Sequence, residues 1–196
     1  MAKIWYDEAN IKLMKQTFSF IWELAKVFII ALVIVLPIRY FLFQPFIVKG
    51  DSMVPNFHSG DYLIIDEISY RFNAPKRGEV VVFKYPENPS QKFIKRIVGL
   101  PGDTVEIKDG QVILYDKDNN QQVLEEAYLP SSKETYGNIK VSLGSDQYFV
   151  LGDNRPYSSD SRTWGPLPKS NIIGRVFMRV FPLAALGKIT LPAYAY

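Results

Sequence analysis

Two short motifs contain side chains that could perform nucleophilic chemistry together. Ser52 lies in Gly50–Pro55 (GDSMVP), where the glycine and the proline predict a sharp turn that exposes the hydroxyl. Lys95 lies in the apolar run Phe93–Val98 (FIKRIV), and a strand would place it on one face with apolar residues two positions away on either side. Burial lowers the pKa of an amine, and a neutral lysine can act as general base for a serine hydroxyl.

Each motif also has an ordinary structural interpretation. A serine between glycine and proline is commonly only a turn residue. A lysine on a strand can lay its aliphatic stem along apolar surface while its ammonium group reaches water. Neither motif alone distinguishes catalysis from structure.

The composition excludes several other chemistries. Cysteine is absent and His58 is the only histidine, so thiol nucleophiles, disulfides, cysteine-bound zinc and sites built from several imidazoles are excluded. No carboxylate partner for His58 is evident, and we expect it at the surface rather than as the base for Ser52. The net charge of +3 is too small to indicate nucleic-acid binding.

Two further motifs are polar. Gly152–Arg162 (GDNRPYSSDSR) follows an apolar run, and it is either a loop that satisfies its own polar groups or a support for a neighbouring catalytic group. Gly60–Tyr62 indicates a turn that leads into a strand.

One apolar segment near the amino terminus is long enough to cross a bilayer. Val27–Leu36 is uninterrupted, and its apolar character extends over roughly 21–43, whereas about 20 residues are needed for a membrane helix. A buried helix and a cleaved secretory signal share this pattern, but the bulky residues at 39–43 argue against cleavage. The sequence predicts a transmembrane anchor at 21–43.

The lysines near this segment predict its orientation. Lys12, Lys15 and Lys26 lie on the amino side, against Lys49 alone on the other. Because cytoplasmic flanks are enriched in basic residues, we expect 1–20 in the cytoplasm and 44–196 outside.

Residues 44–196 predict a mainly β fold. Runs of β-branched and aromatic residues alternate with turn residues, and Asp109-Gly110 predicts a tight hairpin. The polar stretch at about 108–145 is predicted to be a small non-catalytic excursion, with a loop at Asp116–Gln122. The predicted strands are Phe46–Val48, Tyr62–Ile65, Val80–Tyr85, Phe93–Val98, Thr104–Ile107, Gln111–Leu114, Tyr148–Leu151 and Ile172–Phe181.

Taken in order, the anchor and four motifs resemble the bacterial type I signal peptidases, in the branch with a single amino-terminal anchor. The motifs are Gly50–Pro55, Gly60–Tyr62, Lys95–Asp103 and Gly152–Arg162. The resemblance implies an antiparallel β-sheet fold at the outer face of the cytoplasmic membrane. It also implies an endopeptidase without metal or cofactor that removes signal peptides from exported preproteins, with those peptides and the lipid bilayer as partners.

The resemblance implies roles for individual residues. Ser52 would be the nucleophile, Lys95 the general base and Ser158 the hydroxyl that orients the lysine. The implied supporting residues are Asp160, Arg155 and Arg162, with Asp153 less directly placed.

The implied substrate-binding residues are Phe46, Val48, Gly50, Asp51 and Ile94. The chain departs from some family members at Gly50, where they have a serine that helps to hold the oxyanion. The backbone N–H of Ser52 is then expected to be a main donor to the oxyanion.

Two other functions stay open at this point. A Ser-Lys peptidase that cleaves itself, as in the SOS-repressor group, would use the same pair, although no DNA-binding segment is evident. A membrane-anchored β domain that binds a partner without chemistry would explain the anchor and the fold but not the paired motifs.

Overall fold

The computed structural model describes residues 2–41, 43–116, 118, 120–130 and 134–192, with side chains described outside 2–12 and 36–43. The chain divides into two compact units, Met1–Leu42 and Phe43–Tyr196.

The first unit is the helix α1, Ala2–Phe41. Within it, Leu13–Val35 is a 23-residue apolar segment, long enough to cross a membrane, and it is not buried by other parts of the chain. It overlaps the predicted anchor at 21–43. Residue 42 lies outside the described residues, and the assignment of 1–20 to the cytoplasm stays a prediction.

The second unit is mainly antiparallel β-sheet, which confirms the predicted fold class. Two helices of four residues, α2 (Ser69–Phe72) and α3 (Ser161–Trp164), lie in its connections. The strands are β1 (Phe43–Ile47), β2 (Tyr62–Asp66), β3 (Val80–Tyr85), β4 (Asn88–Gly99), β5 (Thr104–Lys108), β6 (Gln111–Tyr115), β7 (Gln121–Val123), β8 (Ile139–Ser142), β9 (Gln147–Leu151), β10 (Leu167–Pro168), β11 (Ile172–Phe181) and β12 (Gly187–Lys188).

The strands form two sheets. The larger has the order β1-β2-β11-β3-β4-β9-β10, with β12 paired to β11, and the smaller has the order β7-β6-β5-β8. Strand β3 begins with four buried residues, Val80–Phe83, whose side chains alternate between two core clusters. Both faces of the larger sheet are therefore covered at this strand, which explains why its sequence is continuously apolar rather than alternating.

The hairpin between β5 and β6 confirms the prediction from Asp109-Gly110. Lys108 pairs with Gln111, and the two turn residues have φ angles of 50° and 78°. A two-residue turn with positive φ at both positions matches the right-handed twist of the strands, and asparagine, aspartate and glycine tolerate it best.

Other predicted boundaries were wrong. The loop predicted at Asp116–Gln122 ends before Gln121, which begins β7. Strands β7, β8, β10 and β12 were not predicted, because they are short and lack a run of β-branched or aromatic residues. Strand β4 begins at Asn88 rather than Phe93, since Asn88 and Lys92 pair with Tyr85 and Lys84 of β3 through their backbones.

Candidate active site

The two predicted catalytic side chains lie together. The Nζ atom of Lys95 is 2.7 Å from the Oγ atom of Ser52 and 2.9 Å from the carbonyl oxygen of Ile94. Lys95 projects from the middle of β4, and Ser52 lies in the turn between β1 and β2. The hydroxyl is thus within direct proton-transfer distance of the amine.

The amine of Lys95 is sheltered from water. The residue is only 4% exposed, and burial lowers the pKa of Lys95 from 10.5 to about 8, although the negative charges of Asp160 and Asp153 oppose the shift. Burial dominates because transfer from water disfavours the ammonium form. A large fraction of the amine is therefore neutral near pH 8.

The turn that presents Ser52 is anchored by buried side chains that follow it. Met53 and Phe57 are buried in a core cluster, so the serine stands next to a side chain that is fixed in the interior. Gly50, before the serine, has a φ angle of +83°. Because side chains with a Cβ rarely adopt this conformation, a serine at this position would be strained here.

The loop after β9 contacts this turn directly. The backbone N–H of Asn154 donates to the carbonyl oxygen of Ser52 at 2.9 Å, and its side-chain amide donates to the carbonyl oxygen of Asp51 at 2.9 Å. A Cβ atom on Gly152 would lie 2.5 Å from the carbonyl oxygen of Ser52 and 2.2 Å from the Oγ of Ser158. Only glycine permits this close approach.

Asp160 holds the loop in place. Its fully buried carboxylate accepts from the backbone N–H of Gly152 at 3.0 Å and from the Nε and Nη2 atoms of Arg162 at 2.8 and 2.9 Å. Arg162 also donates to the carbonyl oxygen of Arg155 at 2.7 Å. These charge-assisted bonds make the predicted supporting residues a single network around the loop.

Arg155 lies in the same network and is almost fully buried. Its Nε donates to the carbonyl oxygen of Gly152 at 3.0 Å, and its Nη1 and Nη2 donate to the carboxylate of Glu126. The Nη1 also donates to the hydroxyl of Thr135. The guanidinium is thus fully engaged, and it links the loop to the segment after β7.

Ser158 is close to the site but does not bond to the lysine. Its hydroxyl is buried, hydrogen-bonds to no other described group, and packs against Gly152. The lysine amine instead donates to Ser52 and to the carbonyl of Ile94. The orienting role implied for Ser158 stays a prediction.

A cleft of about 620 Å³ opens beside Ser52 and Lys95. Four of the five predicted substrate-binding residues line it, namely Phe46, Gly50, Asp51 and Ile94. Val48 differs, because it is buried in the core cluster that contains Met53. The neighbouring Ile47 lines the cleft instead, since β1 turns that side chain outward.

Several contacts around the site were not predicted from the sequence. Asn154 belongs to the motif Gly152–Arg162. The tendency of asparagine side chains to hydrogen-bond to nearby backbone was the one sequence feature that could have indicated its contacts. No local pattern identified Asn56, Glu126, Tyr128 or Thr135, because each contacts a site residue that is far away in the sequence. His58 is exposed, and no group of three or more acidic or histidine side chains that could hold a metal occurs among the described residues.

The chain is also similar in sequence to known proteins. A family model described as "Signal peptidase, peptidase S26" matches residues 21–181. The chain is 38% identical over 178 residues to the probable signal peptidase I-1 of Synechocystis sp., covering 87% of this chain and 88% of the relative. It is 41% identical over 171 residues to the signal peptidase I of Leptolyngbya laminosa, covering 83% and 81%.

A crystal structure of a signal peptidase I from Enterococcus faecalis V583 aligns with a TM-score of 0.45 at 28% identity, over 53% of this chain and 97% of that one. The family match covers far more than half of the chain. The alignments with the two sequence relatives also cover most of the length of each relative. The resemblance seen in the motifs is thereby confirmed, and the chain belongs to the signal peptidase family, peptidase S26.

Proposed function

We propose that this chain is a membrane-anchored serine endopeptidase that removes amino-terminal signal peptides from exported preproteins, with Ser52 as nucleophile and Lys95 as general base. The observation that supports this most directly is the 2.7 Å distance between a sheltered amine and a turn hydroxyl in a chain of this family. A buried lysine without a carboxylate neighbour at ion-pair distance costs stability, so its presence favours a catalytic role.

The reaction begins with proton transfer from Ser52 to the neutral amine of Lys95. The Oγ atom attacks the scissile carbonyl, and the backbone N–H of Ser52 is one donor that stabilises the oxyanion. The ammonium of Lys95 then gives its proton to the leaving amine, and an acyl-enzyme on Ser52 is left. Lys95 next takes a proton from water as the water oxygen attacks the ester carbonyl. When the bond to Ser52 breaks, Lys95 returns that proton to the serine oxygen, which releases the signal peptide with a free carboxyl group and restores the neutral amine.

The cleft supplies a place for an extended substrate. Strand β9 pairs with Arg96–Gly99 of β4, whereas the preceding residues of β4, Ser90–Lys95, line the cleft. Phe46 and Ile47 of β1 line its other side. A substrate strand could pair with these backbones, which gives affinity without a sequence requirement, while small pockets select small side chains.

The anchor would hold this site near the bilayer. Ser52 follows the predicted span, 21–43, by about nine residues, a reach of roughly 30 Å at full extension. Basic residues before the span favour an amino terminus in the cytoplasm and a β-sheet domain outside. Digestion of sealed, right-side-out vesicles with an external protease tests this orientation. Degradation of the β-sheet domain is expected, and its protection would contradict the proposal.

The activity is tested with detergent-solubilised full-length protein and one purified preprotein, with Ser52→Ala as the inactive comparison. We expect the unmodified chain alone to release the mature protein, with a new amino terminus that mass spectrometry assigns to the signal cleavage site. Cleavage of the chain itself while the preprotein stays intact would favour the self-cleaving alternative. Binding of the preprotein without cleavage by either form would favour the non-catalytic alternative.

A further inference from the structure

One segment outside the site motifs contacts the turn that carries Ser52, the strand that carries Lys95 and the loop after β9. The segment 124–130, here called the connecting loop, follows β7 in the smaller sheet and belongs to the stretch that the sequence assigned to a non-catalytic excursion. Its residues Glu126 and Tyr128 are partly buried against the larger sheet's polar network.

The first contact is with the strand that carries the lysine. The ring of Tyr128 lies 4.1 Å from the Cζ atom of Arg96, the residue next to Lys95. Arg96 in turn makes a bidentate pair with Asp153, with its Nε and Nη2 atoms 2.9 and 2.6 Å from the two carboxylate oxygens. The aromatic ring restrains the guanidinium across its plane, and the bidentate hydrogen bonds to the carboxylate restrain it within its plane. Together they fix its orientation.

The second contact is with the turn that carries the serine. The Nδ2 atom of Asn56, four residues after Ser52, donates to the carbonyl oxygen of Tyr128 at 3.0 Å. The same nitrogen lies 2.8 Å from the Oδ2 atom of Asp153. The serine turn is thus tied to the connecting loop and to the partner of Arg96 by one amide group.

The third contact is with the loop Gly152–Arg162. The hydroxyl of Tyr128 donates to Glu126, whose carboxylate accepts from Arg155, with 2.6 Å from Nη1 to Oε2. The Nη2 atom of Arg155 also lies 3.4 Å from the Tyr128 hydroxyl oxygen. Because Arg155 holds the carbonyl of Gly152, this contact reaches the backbone against which the serine turn packs.

We propose that Tyr128 is a positioning residue for the Ser52–Lys95 pair: it joins the serine turn, the lysine strand and the loop after β9 into one rigid arrangement. The inference rests on the proposed function, because it concerns the same site. Ser52 and Lys95 come from segments far apart in the sequence, and proton transfer requires them within hydrogen-bond distance. A displacement of about 1 Å can lower the rate of a positioned reaction by roughly a hundredfold.

The decisive variant is Tyr128→Leu, which removes the aromatic face and the hydroxyl but keeps an apolar side chain. We expect kcat for preprotein cleavage to fall by about tenfold or more, with KM nearly unchanged, because the cleft residues do not include Tyr128. Tyr128→Phe keeps the stacking on Arg96 and the backbone carbonyl, and it is expected to retain kcat within about threefold.

A matched control exists in the smaller sheet. Tyr115 in β6 has its hydroxyl bonded to Glu106 and its ring 3.9 Å from the Nζ atom of Lys140, and none of these three lines the cleft. Tyr115→Leu therefore removes the same kinds of contact from the smaller sheet without touching the site. It is expected to cleave as the unmodified chain does, at a temperature where circular dichroism shows all variants folded.

The outcomes separate the two proposals. If the unmodified chain does not cleave, the proposed function fails, whatever the variants do. If it cleaves and folded Tyr128→Leu keeps its kcat, or if Tyr115→Leu loses as much, the positioning role of Tyr128 is overturned. Should Tyr128→Leu not fold, Tyr128→Met, which restores more of the volume without an aromatic face, is judged by the same criterion.

Discussion

Neighbouring residues of β4 place two cationic side chains in very different surroundings. Lys95 and Arg96 are each 4% exposed. The guanidinium of Arg96 makes bidentate hydrogen bonds to Asp153, donates to the carbonyl oxygen of Gly78 and stacks on the ring of Tyr128. The amine of Lys95 contacts the Ser52 hydroxyl and a carbonyl, and no described carboxylate oxygen lies within 4 Å of it.

The difference shows that burial has opposite consequences with and without a counter-charge. A buried pair that is well bonded keeps both charges and fixes geometry, whereas an unpaired buried amine gives up its proton more easily. Strand alternation sends the two side chains to opposite faces, so one strand holds a rigid ion pair and a base side by side.

Removing the basicity of Lys95 should have the largest effect. Lys95→Arg keeps a positive charge but lacks a neutral form near pH 8, so we expect kcat/KM for preprotein cleavage to fall by about a thousandfold. The exposed Lys84 on β3 provides the control, since Lys84→Arg alters no buried group. Normal processing by folded Lys95→Arg would show that the lysine is not the base.

Breaking the ion pair of Arg96 should affect folding more than chemistry. Arg96→Met leaves the fully buried carboxylate of Asp153 without its counter-charge, and we expect the free energy of unfolding to fall by about 3–5 kcal/mol. Denaturant titration at pH 7 measures this change. Adding Asp153→Asn should recover part of the loss, and an unchanged midpoint for Arg96→Met would mean that the pair contributes nothing.

The pH profile should report the titration of Lys95. With a pKa of about 8, the neutral fraction rises with pH, so kcat/KM should increase by about fiftyfold between pH 6 and pH 8 and level off above. A chemistry-limited assay with a short synthetic substrate measures it. A flat profile across pH 6 to 10 would contradict a lysine base.

Replacing Lys95 with an apolar residue should stabilise the fold, opposite in sign to the effect at Arg96. The pKa of Lys95 is about 8 in the folded chain and 10.5 ordinarily. Burying the amine therefore lowers the free energy of unfolding by its full amount below pH 8, and this loss disappears as the pH rises towards 10.5.

We therefore expect Lys95→Met to be more stable than the unmodified chain by about 1–3 kcal/mol at pH 7, after allowance for two lost hydrogen bonds. The difference should shrink towards pH 10. Denaturant titrations at both pH values test it, and a less stable Lys95→Met at pH 7 would show that the amine is not buried at a cost.

Much of the fold could be predicted because its signals are local. The Asp109-Gly110 turn, the apolar run of β3 and the alternation around Lys95 each depend on neighbours in the chain. The short strands β7 and β12 could not be predicted, since backbone pairing with a distant strand stabilises them rather than their own side chains.

The features of the site also fall into those that local sequence predicts and those that depend on distant packing. Ser52 and Lys95 were singled out as candidates from residue type and local surroundings, whereas the family resemblance implied their roles and those of the supporting residues in the loop after β9. The inward position of Val48 and the contacts of Asn56 and Tyr128 were not, because each depends on which distant segment packs against it.

Residue order thus decided the chemical identity of the site: a hydroxyl in a turn, an amine on an apolar strand and a polar loop that can satisfy its own charges. Tertiary structure alone decided that no carboxylate in the described part of the chain lies at ion-pair distance from the amine, while the neighbouring Arg96 has one at 2.6 Å. The physical reason is that a pKa depends on the charges and water within a few ångströms, and folding, rather than position along the chain, determines which groups those are.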